Sequence, residues 1–147
     1  MTSIDYDYAM SGIPAVLVGF TGKGGDDIRI ERVHELHDLL AHAVATKPCR
    51  LGPKEFRFLR GYLGLTQKEL AKLVHLHPDT IKWLETDTRA DDTGQMEYIF
   101  RILTLIEIKT TLPSVQQLLA SASKPYEEVQ YRVDASDPLN YRMLPGT

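Results

Sequence analysis

A single cysteine in 147 residues removes two classes of explanation at once. Cys49 has no second thiol for an internal disulfide and no companions for a thiolate zinc site. Its setting, Lys47-Pro48-Cys49-Arg50, supplies no local base, so no catalytic thiol is read there. Long apolar runs are also missing. None approaches the ~20 residues of a membrane span, and no basic-then-apolar leader opens the chain, so a cytoplasmic protein without membrane contact is expected. A large excess of one sign of charge is missing as well, and a net charge of −3 argues against an indiscriminate coat for nucleic acid. Paired carboxylates, an activated nucleophile and a complete metal-ligand set are all absent at interpretable spacing. The chain is therefore not read as an enzyme, and no cofactor or metal is expected.

Two local features come close to such sites and fall short. The three glycines of Thr21 to Gly25 are not followed by Gly-Lys-Ser/Thr or by a helix start, so they read as a hairpin turn rather than a phosphate loop. His34 and His37 are three apart on a helix, but no third ligand stands at a useful spacing, and solvated or half-buried histidines are the better reading.

Charge becomes informative when divided along the chain. Residues 1–50 carry five Lys/Arg against seven Asp/Glu, and residues 86–147 carry six against nine. Residues 51–85 reverse the sign, with Lys54, Arg57, Arg60, Lys68, Lys72 and Lys82 against four acids. A basic third in an acidic chain is the footprint expected of a duplex reader.

That third contains the most patterned stretch, LTQKELAKLVHLHPDTIKWLE from Leu65 to Glu85. Thr66 and Glu69 have the spacing of a capping box, so a helix is predicted from Gln67 to about Val74, with Leu70, Ala71 and Val74 on one face. After His75-Leu76-His77, Pro78 suits the first turn of a second helix, to about Glu85, where its missing amide hydrogen costs nothing. Two short helices joined by a three-residue turn read as a helix-turn-helix. Counted from Gln67, the small Ala71 falls fifth, where the helices cross closely. Ile81 and Leu84 fall fifteenth and eighteenth, where they plug the wedge between them. Asp79, Thr80, Lys82 and Trp83 then face outward.

In this wording the sequence resembles the Xre/Cro/repressor class of helix-turn-helix regulators over roughly Leu51 to Leu105. The resemblance implies a five-helix DNA-binding domain. It also implies that Arg60, in a preceding helix from Pro53 to Leu63, pairs with Glu85 while facing a phosphate. Two positions depart from the class: His75 stands where the turn glycine belongs and must hold φ > 0, and Thr86-Asp87 replaces the usual Asn-Gly exit. The opening YDYAMSGIPAVLV, the histidine-containing helix and LGPKEFRFLRGYLGLTQKELA together resemble the MqsA/YgiT-type antitoxin-like regulators, from Tyr6 to Leu105. The zinc-ligating cysteines of that family are absent here, so zinc is not carried over.

Around this motif the predicted architecture is mainly α with a small β element. Residues 1–48 form a small α+β lobe: a half-buried strand at Tyr6 and Tyr8, a hairpin of strands 15–20 and 26–30, and a helix from Glu31 to about Thr46 with Val33, Leu36, Leu40, Ala43 and Val44 on one face. The helix-turn-helix domain occupies 51–110. Its last helix, Gln95 to about Lys109, carries Met96, Ile99, Phe100, Leu103 and Ile106 at core spacing, with Ile102 and Leu105 as a spare apolar side. Residues 111–147 supply a short helix (Ser114 to Ala122), a strand (Glu127 to Val133) and an irregular tail. A lone strand needs partners, and the N-terminal sheet is the only evident one.

The function expected is a sequence-specific DNA-binding regulator, a repressor or autoregulator, working on double-stranded DNA as a homodimer. Gln67, with Lys68 beside it at the start of its helix, is assigned to phosphate. His77, Asp79, Thr80, Lys82 and Trp83 form the candidate groove-facing row, and Arg89, in the polar loop 86–93, is a candidate for backbone phosphate. Asp79 has two readings, accepting from cytosine or capping its own helix, and so does Trp83, stacking on sugar or packing against the loop. The dimer surface is expected around Ile102 and Leu105, with strand pairing as the alternative. A second functional reading is an antitoxin whose N-terminal lobe binds a toxin protein.

Overall fold

β2 (Ala15–Phe20) is buried at Ala15, Leu17 and Phe20, a spacing that breaks strict alternation. The break is a bulge. Tyr6 of β1 (Ile4–Asp7) pairs with Leu17 and Ile4 with Phe20, so β2 spends one extra residue. Gly19 takes φ 72°, a conformation that glycine adopts without steric cost, and the shift in parity turns Phe20 instead of Gly19 inward. Phe20 then stacks on Tyr6 at 5.2 Å between ring centroids.

The computed structural model describes residues 4–20, 30–86 and 94–145. Among them the protein is mainly helical, with six α-helices and one four-stranded sheet. It divides into two compact units, Met1–Leu40 with Val129–Thr147, and Ala41–Glu128. Of the C-terminal stretch 111–147, the helix lies in the second unit and the strands in the first.

The first unit holds the sheet, in the order β1-β2-β3-β4, with β3 at Tyr131–Asp134 and β4 at Arg142–Met143. The C-terminal strand does join the N-terminal sheet, and it does so in parallel with β2, Leu17 opposite Val133. A parallel pair needs a long crossover, and here that crossover contains the whole second unit. Both edges of β2 are occupied, by β1 and β3. The segment 26–30 expected as its hairpin partner lies, Ile30 apart, outside the described residues. β4, antiparallel to β3, was expected as irregular tail. α1 (Val33–Ala45) buries Leu36 and Leu40 in this unit.

The second unit contains α2 (Pro53–Tyr62), α3 (Gln67–Leu73), α4 (Pro78–Leu84), α5 (Gly94–Ile108) and α6 (Val115–Ser123). Its core gathers Phe56, Leu59, Leu70, Ala71, Ile81, Leu84, Met96, Phe100 and Leu105, with Phe56 tilted on Phe100 at 5.2 Å. Each fully buried Leu, Ile or Phe here contributes about 1.5–3 kcal/mol.

α5 corrects the expected phase. Its buried face is Met96, Glu97, Phe100, Arg101, Thr104 and Leu105, while Leu103 and Ile106 are exposed. Leu105, expected on a spare apolar side, is fully buried, and Ile102 is half-buried. The cause is an ion pair laid along the core face. Arg101 Nε donates to Glu97 Oε2 at 3.2 Å, and Glu97 Oε1 accepts from the Leu51 amide at 2.6 Å. The remaining guanidinium donors hold the carbonyls of Ala45 (3.2 Å), Lys47 (2.7 Å) and Cys49 (2.5 Å). Burial pushes the Glu97 carboxyl up, against the Leu51 amide and Arg101, which pull it down. The Lys-Pro-Cys-Arg stretch read as a linker is thus a clamped, partly buried connection. Beside it Lys47 Nζ meets Glu55 Oε1 at 2.8 Å and lies 4.6 Å from the Tyr126 ring centroid.

Candidate nucleic-acid interface

The α3–α4 pair is assembled from caps. Thr66 Oγ1 accepts from the Glu69 amide and Glu69 Oε1 accepts from the Thr66 amide, both at 3.0 Å, so two otherwise orphaned donors at the start of α3 are satisfied. Hydrogen bonding from the Thr66 amide, and then from its side chain, holds the Glu69 carboxyl below its usual range. At the other end His75 takes φ 58°. The Leu76 amide bonds back to the Ala71 carbonyl at 2.9 Å and the His75 amide to Lys72 at 3.4 Å. That is a Schellman closure with a histidine in the glycine position. α2 ends the same way, with Gly64 at φ 74° and the Leu65 amide on the Arg60 carbonyl.

α4 opens on Pro78 with His77 as its cap, Nδ1 accepting from the Asp79 amide at 3.1 Å. This puts the imidazole proton on Nε2 and leaves Asp79 out of the capping role, its carboxylate 3.5 Å from the same ring nitrogen. Ala71 is buried where the helices meet, and Ile81 and Leu84 are buried from α4.

Three elements are tied by one carboxylate. Glu85, at the end of α4, has a side chain only 3% exposed. Arg60 of α2 holds it with Nε to Oε2 at 2.5 Å and Nη2 to Oε1 at 2.9 Å, and Nη1 donates to the Leu65 carbonyl at 2.9 Å. Gln67 of α3 adds its side-chain amide to Oε1 at 3.1 Å. The hydrogen bonds to Glu85 hold the Arg60 guanidinium above its ordinary range. Gln67, assigned to phosphate from sequence, thus has its amide turned to Glu85. The Leu65 carbonyl and the Gln67 link were not legible beforehand, because neither follows from helical periodicity.

The outward side is basic. Lys54, Arg57, Lys68, Lys72 and Lys82 are exposed. Of the four acids in this segment Glu55 and Glu85 are taken up in buried ion pairs, which leaves only Glu69 and Asp79 exposed. Burial therefore raises the outward positive excess above what the sequence count shows. On α4, Asp79, Lys82 and Trp83 fall within about 100° of one another around the axis, opposite Ile81 and Leu84. Trp83 is 66% exposed, and Thr80 sits at the flank, half-buried. His77 is exposed at the start of the row. Arg89 lies outside the described residues.

Elsewhere in this unit a cleft of about 510 Å³ opens between the α1–α2 connection and α6, lined by Ala45, Pro48, Arg101, Leu112, Leu118 and Lys124 among others. None of its lining residues comes from α3 or α4. Among the described residues no three His, Cys, Asp or Glu side chains gather as a metal site, and no helix is long and apolar enough to cross a membrane. In the first unit His37 Nε2 meets the Tyr8 hydroxyl at 2.7 Å. Comparison with protein-family models, curated proteins and solved structures yields no match to this chain.

Proposed function

We propose that this chain is a sequence-specific DNA-binding regulator of the Xre helix-turn-helix type, acting as a repressor or autoregulator, with α4 as the recognition helix. The observation that carries the reading is the Arg60–Glu85–Gln67 bracket. It ties α2, α3 and the end of α4 together and leaves Asp79, Lys82 and Trp83 exposed, while α2 and α3 carry further exposed cations. A rigidly held short helix, outward polar face and basic rim are what major-groove reading requires. Lys68, Lys72 and Lys82 supply phosphate contacts that position the helix, and its outward side chains supply base contacts.

The reading includes a homodimer, since one such helix reads only a few base pairs and a two-fold doubles the site. In this structure the exposed apolar side chains of α5 are Leu103 and Ile106, which shifts the proposed contact away from Leu105. The direct test is fluorescence anisotropy of the purified protein against a duplex of its own upstream region and against a scrambled duplex of equal length. Salt-sensitive binding that prefers the upstream duplex supports the reading, and equal or absent binding rejects it. A second reading, an antitoxin, draws on the separate sheet unit, whose edge strand β1 is largely exposed. Co-purification with the product of the neighbouring gene tests it.

A further inference from the structure

The outward face of α4 contains a side chain that is unusual in a polar reading row. Trp83 is the sole tryptophan of the chain, and it stands 66% exposed on the same face of α4 as Asp79 and Lys82. Tryptophan is highly buried on average, because its large apolar surface is costly to leave in water. Asp79, one turn earlier on the same face, is exposed, as is Lys82, and the exposed cations of α2 and α3 add the sign a phosphate backbone attracts.

We infer, on the footing of the DNA-binding reading above, that Trp83 is a thymine reader, its indole packing on the C5-methyl group of one thymine in the major groove. The chemistry selects the base. An indole has one donor, Nε1–H, no acceptor, and otherwise only apolar edge and face. Cytosine presents a donor, which indole N–H cannot answer. Guanine presents acceptors, and adenine an acceptor beside a donor, but neither has an apolar group to cover the ring. Thymine presents an acceptor, O4, next to a methyl group, and so matches one donor beside an apolar edge. Asp79, an acceptor-only side chain, complements this by taking an amino group of adenine or cytosine at a neighbouring step.

The test starts from a randomised duplex pool, selected in parallel with wild type, Trp83→Ala and Trp83→Phe. Wild type is expected to enrich sites with one position held as thymine. Trp83→Ala should lose the preference at that position and keep the rest of the motif, whereas Trp83→Phe, which keeps an apolar ring, should retain it. Replacing that thymine by uracil in the selected duplex removes only the methyl. It should weaken wild type about fourfold, the worth of one buried methyl group, and leave Trp83→Ala unchanged. Because no other tryptophan contributes, the intrinsic fluorescence should change on binding and lose that change in Trp83→Phe. If no duplex is enriched by any of the proteins, the DNA-binding reading fails and this inference with it. If wild type and Trp83→Ala enrich the same motif, or uracil costs wild type nothing, DNA binding stands and the role given to Trp83 is wrong.

Discussion

Glu85 is held by Arg60 through two hydrogen bonds, 2.5 Å from Nε and 2.9 Å from Nη2, in a site where the carboxylate side chain is 3% exposed and the guanidinium 17%. The pair closes the end of α4 onto α2, so its strength sets how firmly the outward face is presented. Removing either partner leaves a largely desolvated charge. Arg60→Ala or Glu85→Ala should therefore cost more than the ~1 kcal/mol of an exposed pair and approach the ~3–5 kcal/mol of a buried one. In a double-mutant cycle measured by urea unfolding, the double variant should lose much less than the sum of the singles. Additive losses would mean the two residues act independently.

The Glu97–Arg101 pair should be the more costly to break. Arg101 is 1% exposed and donates to the carbonyls of Ala45, at the end of α1, and of Lys47 and Cys49 beyond it, besides Glu97. Arg101→Met should destabilise by about 3–5 kcal/mol, because Glu97 and those carbonyls lose their partner together. A midpoint in urea unchanged from wild type would show that the clamp contributes nothing.

His75 sits at φ 58° in a Schellman closure, where a side chain with Cβ is disfavoured by about 1–2 kcal/mol. His75→Gly removes that cost but adds unfolded-state entropy, for a net gain of roughly 0.5–1 kcal/mol. The urea midpoint should rise, and a fall would show that the imidazole makes a contact worth more than the strain.

His37 sets a pH dependence. Burial, with His34 beside it, pushes its imidazole below the usual range, against Asp38, and Nε2 meets the Tyr8 hydroxyl. The unfolded chain titrates near ~6.5 and so takes up this proton first as pH falls. The stability His37 contributes is then present above ~6.5 and lost as pH falls towards the lower folded value. Urea midpoints should decline from pH 7 to pH 5, and His37→Gln should flatten part of that decline. A slope identical in the variant would assign the effect to other groups.

The proposed dimer contact is separable from the core on α5. Ile106 is 56% exposed and Leu105 fully buried. Ile106→Glu should keep the circular dichroism of the wild type and sediment as a monomer with weakened duplex binding, while Leu105→Glu should unfold the second unit. An Ile106→Glu protein that stays dimeric would move the contact to the strands.

Much of the α3–α4 region is legible in the sequence, because the information is local. Thr66 and Glu69 satisfy each other within one turn, Pro78 marks a helix start, and the residues expected to plug the wedge, Ile81 and Leu84, are buried. Such features depend on hydrogen bonds and side-chain spacing within a few residues, which the chain order states directly. The Arg60–Glu85 pair was expected only through a resemblance, since nothing local links residues 25 apart.

What tertiary structure decided is where polar groups found partners across the chain. Helical periodicity ranked α5 by hydrophobicity and placed Leu103 and Ile106 inside. The buried face instead includes Glu97 and Arg101, because the carbonyls of Ala45, Lys47 and Cys49 need donors that a buried guanidinium supplies. Gln67 turned to Glu85 for the same reason, a buried carboxylate with an acceptor site to fill. The parallel pairing of β2 with β3 joins residues more than a hundred apart, and β4 is a two-residue strand that exists only through β3. Neither has a signature in local order, since a strand's alternation states which face is buried and not which edge it will meet.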